Sequence, residues 1–393
     1  MKRVCSIFSQ VLQLISRDAF ETAVEQHGAE RHSRGFSSWG QMVAMLFCQL
    51  AQAKSLREIT SGLRASEGKL RHLGLPEAPA RSTLAYANSH RPWQLYETVF
   101  HQLLAKCRMR LGVAKSGGKL GLPGKLLSLD ATVIDLCAAV FDWAQFRTTK
   151  GAVKLHLLLD HDGYLPCYAV ITEGKVHEIK VARTLRFQRG TMLVFDRGYT
   201  DYAWFQQLGA EGVNFVTRLK DNAACILIES RKPEGTGVRA DEIIVLEKQA
   251  HSERGDVFLR RVRYWDEDTG RELVFLTNHL DLEAATVAAV YRERWQIELL
   301  FKALKQNLRI KTFVGTTANA LKTQIWTALI ALLTVKFLQL QSTHHWSLSG
   351  LVALLRQQLF VYRDLWVWIN TPFEPPLILA ETDSPQLPFA WAT

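Results

Sequence analysis

Three acidic residues stand where an acid needs a reason. Asp130 lies inside the run LLSLDATVI, whose aliphatic and β-branched content reads as a buried strand. A carboxylate there is costly unless it is paired, hydrogen-bonded or bound to a cation. Asp196 ends a second apolar run, TMLVFD, just before the chain turns at Arg197 and Gly198. Glu298 belongs to YRERWQIELLFKALKQNLR, read as one helix from Tyr291 to Arg309. At about 100° per residue, Ile297, Leu300, Phe301, Leu304 and Leu308 share one side of it, and Tyr291, Arg294, Glu298, Lys302, Lys305 and Arg309 share another. Many solvated helix faces carry such Glu/Lys pairs, so periodicity alone does not make this face functional. Brought together, the three acids would offer hard oxygen ligands to two divalent cations, as in-line attack on a phosphodiester requires.

The spacing of Tyr291, Arg294, Glu298 and Lys305 is similar to the YREK signature of bacterial insertion-sequence transposases of the DDE class, in the insertion-sequence-four group. The words FDRGYTD around Asp196 resemble that family's second-aspartate motif, and the resemblance runs from the N-terminal helices to about Gln324. It implies an α/β, ribonuclease-H-like catalytic core interrupted by a β-rich insertion, with helical N-terminal and C-terminal regions. It implies that Asp130, Asp196 and Glu298 are catalytic and hold metal, Asp130 bridging both ions; Mg²⁺ is the expected ion and Mn²⁺ its substitute. Tyr291, Arg294 and Lys305 would grip phosphates near the cut. Family members also stack an aromatic of the insertion on a flipped base. Trp265, beside Tyr264, is the candidate, and cross-strand packing is the alternative.

The implied activity is a transposase: water nicks the element's end, the freed 3′-hydroxyl cuts the other strand through a hairpin, and the same hydroxyl attacks target DNA. The implied partners are double-stranded DNA, as inverted-repeat ends and target, and a second copy of the chain in a synaptic homodimer. The implied compartment is the bacterial cytoplasm, nucleoid-associated when DNA is bound, with no membrane partner. Two alternatives stay open: a DNA-binding repressor descended from such an enzyme, and a metal-dependent nuclease without strand joining.

The elements that must position these acids are legible in outline. KLLSLDATVIDL, AVKLHLLLD and GYLPCYAVIT read as three strands of a meander, and Lys175 to Phe187 as a helix. A fourth strand ends at Asp196, a helix capped by Asp201 follows, and NFVTRLK is a fifth strand. That order is ribonuclease-H-like. Asp135, five residues after Asp130, falls on the opposite strand face and is read as structural. EIIVLEK and DVFLRRVRYW belong to the insertion, and RELVFLTN returns to the core and leads to a helix near Asp281. The expected divisions are 1–112 as a helical DNA-binding domain, 113–222 and 272–330 as the two parts of the core, 223–271 as the insertion and 331–393 as a C-terminal helical region.

The N-terminal part reads as helices capped by Ser37 or Ser38, Ser55 and Ser82, with Pro92 in the first turn of the next; the Ser82–His90 helix is the candidate reader of base edges. Residues 1–115 hold 16 Lys or Arg against 8 Asp or Glu, most of the chain's formal excess of +10. Such a balance suits a polyanionic partner. Lys106 to Lys125 adds six cations and no acid in a Gly-rich linker. The six cysteines form no CxxC pair, which indicates neither a zinc site nor a disulfide framework. Ile325 to Leu340 is apolar but shorter than the roughly 20 residues of a bilayer span, so a buried helix is expected.

Overall fold

The computed structural model describes residues 5–374, apart from 32, 34, 67, 112–118, 138–140, 142, 148–149, 248–256, 309 and 311. Helices α1 (Ile7–Leu12), α2 (Arg17–Gln26), α3 (Ser38–Leu50), α4 (Leu56–Arg64), α5 (Arg81–His90) and α6 (Gln94–Leu111) come first. Ser37 caps α3 through Gly40 N–H, and Ser55 caps α4 through Glu58 N–H. α5 starts one residue before the expected cap: Pro79 stiffens the approach, Leu84 N–H already bonds Ala80 O, and Ser82 falls in the first turn.

Strands β1 (Leu126–Leu136), β2 (Gln145–Arg147), β3 (Lys150–Asp160) and β4 (Leu165–Glu173) follow, then α7 (Glu178–Ala182), β5 (Met192–Phe195), α8 (Tyr202–Ala210) and β6 (Asn214–Arg218). β4 pairs β3 and β3 pairs β1, both antiparallel, while β5 lies parallel to β1 and β6 parallel to β5. The order β4-β3-β1-β5-β6 is that of a ribonuclease-H-like sheet, with β1 central. α7 is much shorter than the expected helix over 175–187. Lys154 Nζ takes the carbonyl of Val176 at its start and the Thr184 hydroxyl takes that of Val181 at its end. Asp201 caps α8 through Trp204 N–H, as expected.

The insertion is not a separate body. β7 (Cys225–Arg231), β8 (Val238–Leu246), β9 (Leu259–Asp266) and β10 (Arg271–Thr277) form an antiparallel meander whose last strand pairs β6, so all ten strands make one sheet. β7 and β2 were not legible as strands; β7 lacks alternation, and β2 has three residues. Arg260 forks onto Asp241 at 2.6 and 2.7 Å and reaches the carbonyls of Leu280 and Leu282, tying this meander to the segment that leads into α9 (Ala284–Glu293).

α10 (Trp295–Asn307), α11 (Ala318–Gln341), α12 (Leu348–Gln358) and α13 (Leu365–Asn370) complete the order. α11 is long and apolar enough to span a bilayer, and its most apolar window is 83% buried here. It packs against α3, α5, α6 and α12, and Asn319 at its start bonds the carbonyls of Asn88 and Arg91. The N-terminal and C-terminal helices thus share one core, and the division placed at 330 falls within α11. On one face of the sheet Trp204 and Phe205 of α8 pack on Phe195 and Phe215, and on the other Val194, Val216 and Phe275 pack under α9.

Candidate active site

Each of the three acids arrives on a different element. Asp130 follows Leu129, the last residue of β1 paired with β5, so it stands where the two parallel strands part. Its side chain is 18% exposed, and its Oδ1 accepts the Ala131 N–H at 2.8 Å. Asp196 follows Phe195, the partner of Leu129, so the two aspartates leave the sheet side by side. Its Oδ1 accepts the Gly198 N–H at 2.9 Å, capping the single 3-10 turn Arg197–Tyr199. A Cβ on residue 198 would meet that oxygen at 2.9 Å, so the glycine of FDRGY leaves room for the carboxylate.

Glu298 lies in the first turn of α10, where a carboxylate is favoured by the helix dipole. The expected single helix from Tyr291 to Arg309 is instead two, because Arg294 N–H bonds Tyr291 O in a tighter turn. α10 then ends at Asn307 as Leu308 becomes extended, and Arg309 lies outside the described residues. The apolar side is as expected: Ile297, Leu300, Phe301, Leu304 and Leu308 are all buried.

At the break, Arg294 points inward. Its side chain is 15% exposed; one terminal nitrogen stands 2.6 Å from Glu298 Oε1 and the other 3.7 Å from Asp130 Oδ2. Its guanidinium also lies 5.4 Å from the centre of the Tyr291 ring, which packs on Phe275. Lys305 Nζ donates to Val133 O at 3.0 Å, docking α10 on β1. Trp265 sits apart on β9, 37% exposed, opposite Glu272 and 5.9 Å from the Arg239 guanidinium. Asp135 is exposed on the far side of β1.

The electrostatics around Asp130 are those of an acid in surplus. Burial, reinforced by the carboxylates of Asp196 and Glu298, pushes its carboxyl up to about 7, against the Ala131 N–H and the charge of Arg294. The phenol of Tyr199, buried and without a hydrogen-bond partner among the described residues, is likewise raised by burial and by Asp130 and Asp196. Among the described residues no three Asp, Glu, His or Cys side chains are arranged to hold an ion as they stand; Arg294 bridges Asp130 and Glu298 instead. A divalent cation nevertheless fits the chemistry of the donor set: three carboxylates against one guanidinium leave negative charge uncompensated, and every carboxylate oxygen is a hard ligand.

The family described as transposase DDE domain matches residues 122–334, which contain all three acids. The chain belongs to the DDE transposase family. It is thus a DNA transposase, an enzyme of a class that uses divalent metal ions. A family described only as a domain of unknown function matches residues 4–76. Among relatives, a Sinorhizobium fredii protein described as transposase y4zB is 30% identical over 65% of this chain and 70% of its own length. The transposase described for insertion sequence IS5377 of Geobacillus stearothermophilus is 26% identical over 86% of each chain. That for IS4SA of Synechocystis is 25% identical over 65% of this chain and 71% of its own. The piggyBac transposase synaptic complex with hairpin DNA aligns with a TM-score of 0.43 at 9% identity, over 91% of this chain and 81% of that one.

Of the expected site residues, Asp130, Asp196, Glu298, Arg294 and Tyr291 come together where β1 and β5 part, Lys305 is docked along β1, and Trp265 stands away. Tyr199 went unremarked in the sequence, although it belongs to the FDRGYTD words that point to Asp196.

Proposed function

We propose that this transposase cuts the ends of its own insertion sequence and joins them to target DNA, with Asp130, Asp196 and Glu298 as its metal ligands. The supporting observation is the raised carboxyl of Asp130, buried between Asp196 and Glu298 at the parting of β1 and β5. Mg²⁺, with Mn²⁺ as substitute, would activate the attacking oxygen and stabilise the leaving one. Asp130, Asp196 and Glu298 would hold the ions. Arg294, which lies against Asp130 and Glu298, would have to release these two for an ion, and its fork would suit two oxygens of a phosphate. Tyr291 and Lys305 flank the same strand, and Trp265 stacks on a base.

The division of labour follows the expected ranges. Residues 1–112 bind the inverted-repeat ends, with the exposed side of α5, carrying Arg81, Ser82, Thr83, Tyr86 and His90, toward the bases. Residues 113–222 and 272–330 cut, 223–271 place Trp265, and 331–393 support the core. The enzyme works in the cytoplasm as a homodimer synapsing two ends. The test is substitution of Asp130, Asp196 or Glu298 by Ala, followed by nicking and binding assays on end DNA. Nicking is lost in each while end binding persists, since the affinity rests on cations that neutralise phosphate. A single Ala variant that nicks at near wild-type rate sinks the assignment.

A further inference from the structure

Outside the carboxylates, one buried polar row crosses the core. Ser128 Oγ and His161 Nε2 lie 2.6 Å apart, His161 Nδ1 and Glu293 Oε2 lie 3.2 Å apart, and the Tyr164 hydroxyl donates to the same Oε2 at 3.2 Å. A carboxylate only accepts, so Nδ1 is the donor to Glu293. A Ser-His-Glu row has the geometry of an activated nucleophile. Here Ser128 has no exposed surface and the His161 side chain none either, so no substrate reaches the hydroxyl.

What the row joins gives it another role. Ser128 is two residues before Asp130, on the same face of β1. Glu293 is the last residue of α9, immediately before Arg294 and five before Glu298. One imidazole, on the turn between β3 and β4, therefore ties the Asp130 strand to the last residue of α9, at the break from which α10 carries Glu298. The turn is built at a cost: Tyr164 adopts a left-handed φ of 53° that delivers its hydroxyl to Glu293. The same turn holds Asp160, 1% exposed, against Arg108 and Lys125 at 2.9 Å each, fixing it to the N-terminal helices as well.

We propose that His161, held between Ser128 and Glu293, is a positioning residue that sets the spacing of Asp130 and Glu298 for metal binding. The inference rests on those acids being metal ligands. Outer partners that orient metal ligands are worth about 10- to 100-fold in affinity or activity when removed.

The test uses the full-length protein with end DNA and four readouts: the thermal midpoint, DNA affinity, direct Mn²⁺ binding by electron paramagnetic resonance, and the cleavage rate separated into kcat and KM. In His161→Ala and Glu293→Ala we expect Mn²⁺ affinity and kcat to fall about tenfold or more, with DNA affinity and KM within about twofold of wild type. Glu293→Gln keeps an oxygen acceptor and recovers most of both. It also serves as the folded comparison where an Ala variant does not fold. Wild-type Mn²⁺ affinity and kcat in folded Glu293→Ala or His161→Ala, with Asp130→Ala failing to bind Mn²⁺, overturn the positioning role alone. So does a folded Glu293→Gln no better than an inactive Glu293→Ala. Wild type and Asp130→Ala that bind Mn²⁺ equally overturn the metal assignment and this inference with it.

Discussion

Asp130→Asn is expected to make the metal-free protein more stable while abolishing cleavage. The carboxyl of Asp130 rises from an ordinary 3.8 to about 7 in the folded chain. Between those values the native state binds more protons than the unfolded state, so stability falls as pH rises through that window and stays low above it. A shift of about three units at 1.36 kcal/mol each sets an upper bound of roughly 4 kcal/mol. Asn removes the charge while its oxygen still accepts the Ala131 N–H, at the expense of the 3.7 Å contact with Arg294. A net gain of about 2–4 kcal/mol is expected above pH 7.5, shrinking to nothing near pH 4. Urea denaturation of both proteins in a chelator, from pH 4 to 8, measures it. Added Mn²⁺ should close the gap by stabilising wild type alone. A variant no more stable than wild type at pH 8, or a gap independent of pH, would refute the view of Asp130 as an acid held above its ordinary range.

Arg294→Ala leaves Asp130 and Glu298 facing each other without their cation, so it should lose about 1–3 kcal/mol at pH 8 in the same assay, and less at pH 5. Arg294→Lys should restore charge but not the fork, recovering stability further than nicking. Tyr86→Ala, on the exposed side of α5, should leave the melting temperature unchanged and weaken end-DNA affinity several-fold by fluorescence anisotropy; unchanged affinity would remove α5 from the interface. Asp160→Asn removes the negative charge shared by Arg108 and Lys125 and should cost about 2 kcal/mol in urea denaturation.

Local signals carried most of what the sequence made visible. Ser37, Ser55 and Asp201 cap helices as their neighbours dictate, and Asp130 and Asp196 announce themselves by interrupting or ending apolar runs. The strand order followed from the pattern of runs and turns. Illegible were interactions between distant segments. Arg294 looks like a surface cation by helical phase, yet the break at its own position turns it onto Asp130, 164 residues earlier. His161 occupies a turn in the sequence, and nothing nearby tells that its partners are Ser128 and Glu293. RELVFLTN was legible as a strand returning to the core, but its neighbour there was not, because the pairing with β6 depends on register between residues 57 to 61 positions apart.

A shared sheet also fixes angles. From β1 to β9 the strand order takes four steps, through β5, β6 and β10. At about 4.8 Å per step that is roughly 19 Å, and at about 20–25° of twist per step the strand direction turns by roughly 80–100°. Phe275 of β10 is opposite Arg218 at the carboxyl end of β6, and Trp265 of β9 is opposite Glu272, three residues farther out past that end. The hairpin thus projects from the same edge as the two aspartates, and at that average twist its strands would cross theirs at roughly 80–100°. A duplex lying along that edge would meet the hairpin about five to six base pairs from the acids, at about 3.4 Å per pair. Curvature of this kind belongs to hydrogen-bond register, so no hinge is needed to wrap a rod, and a single-residue slip between β6 and β10 would tilt the far contact out of reach while leaving the acids untouched.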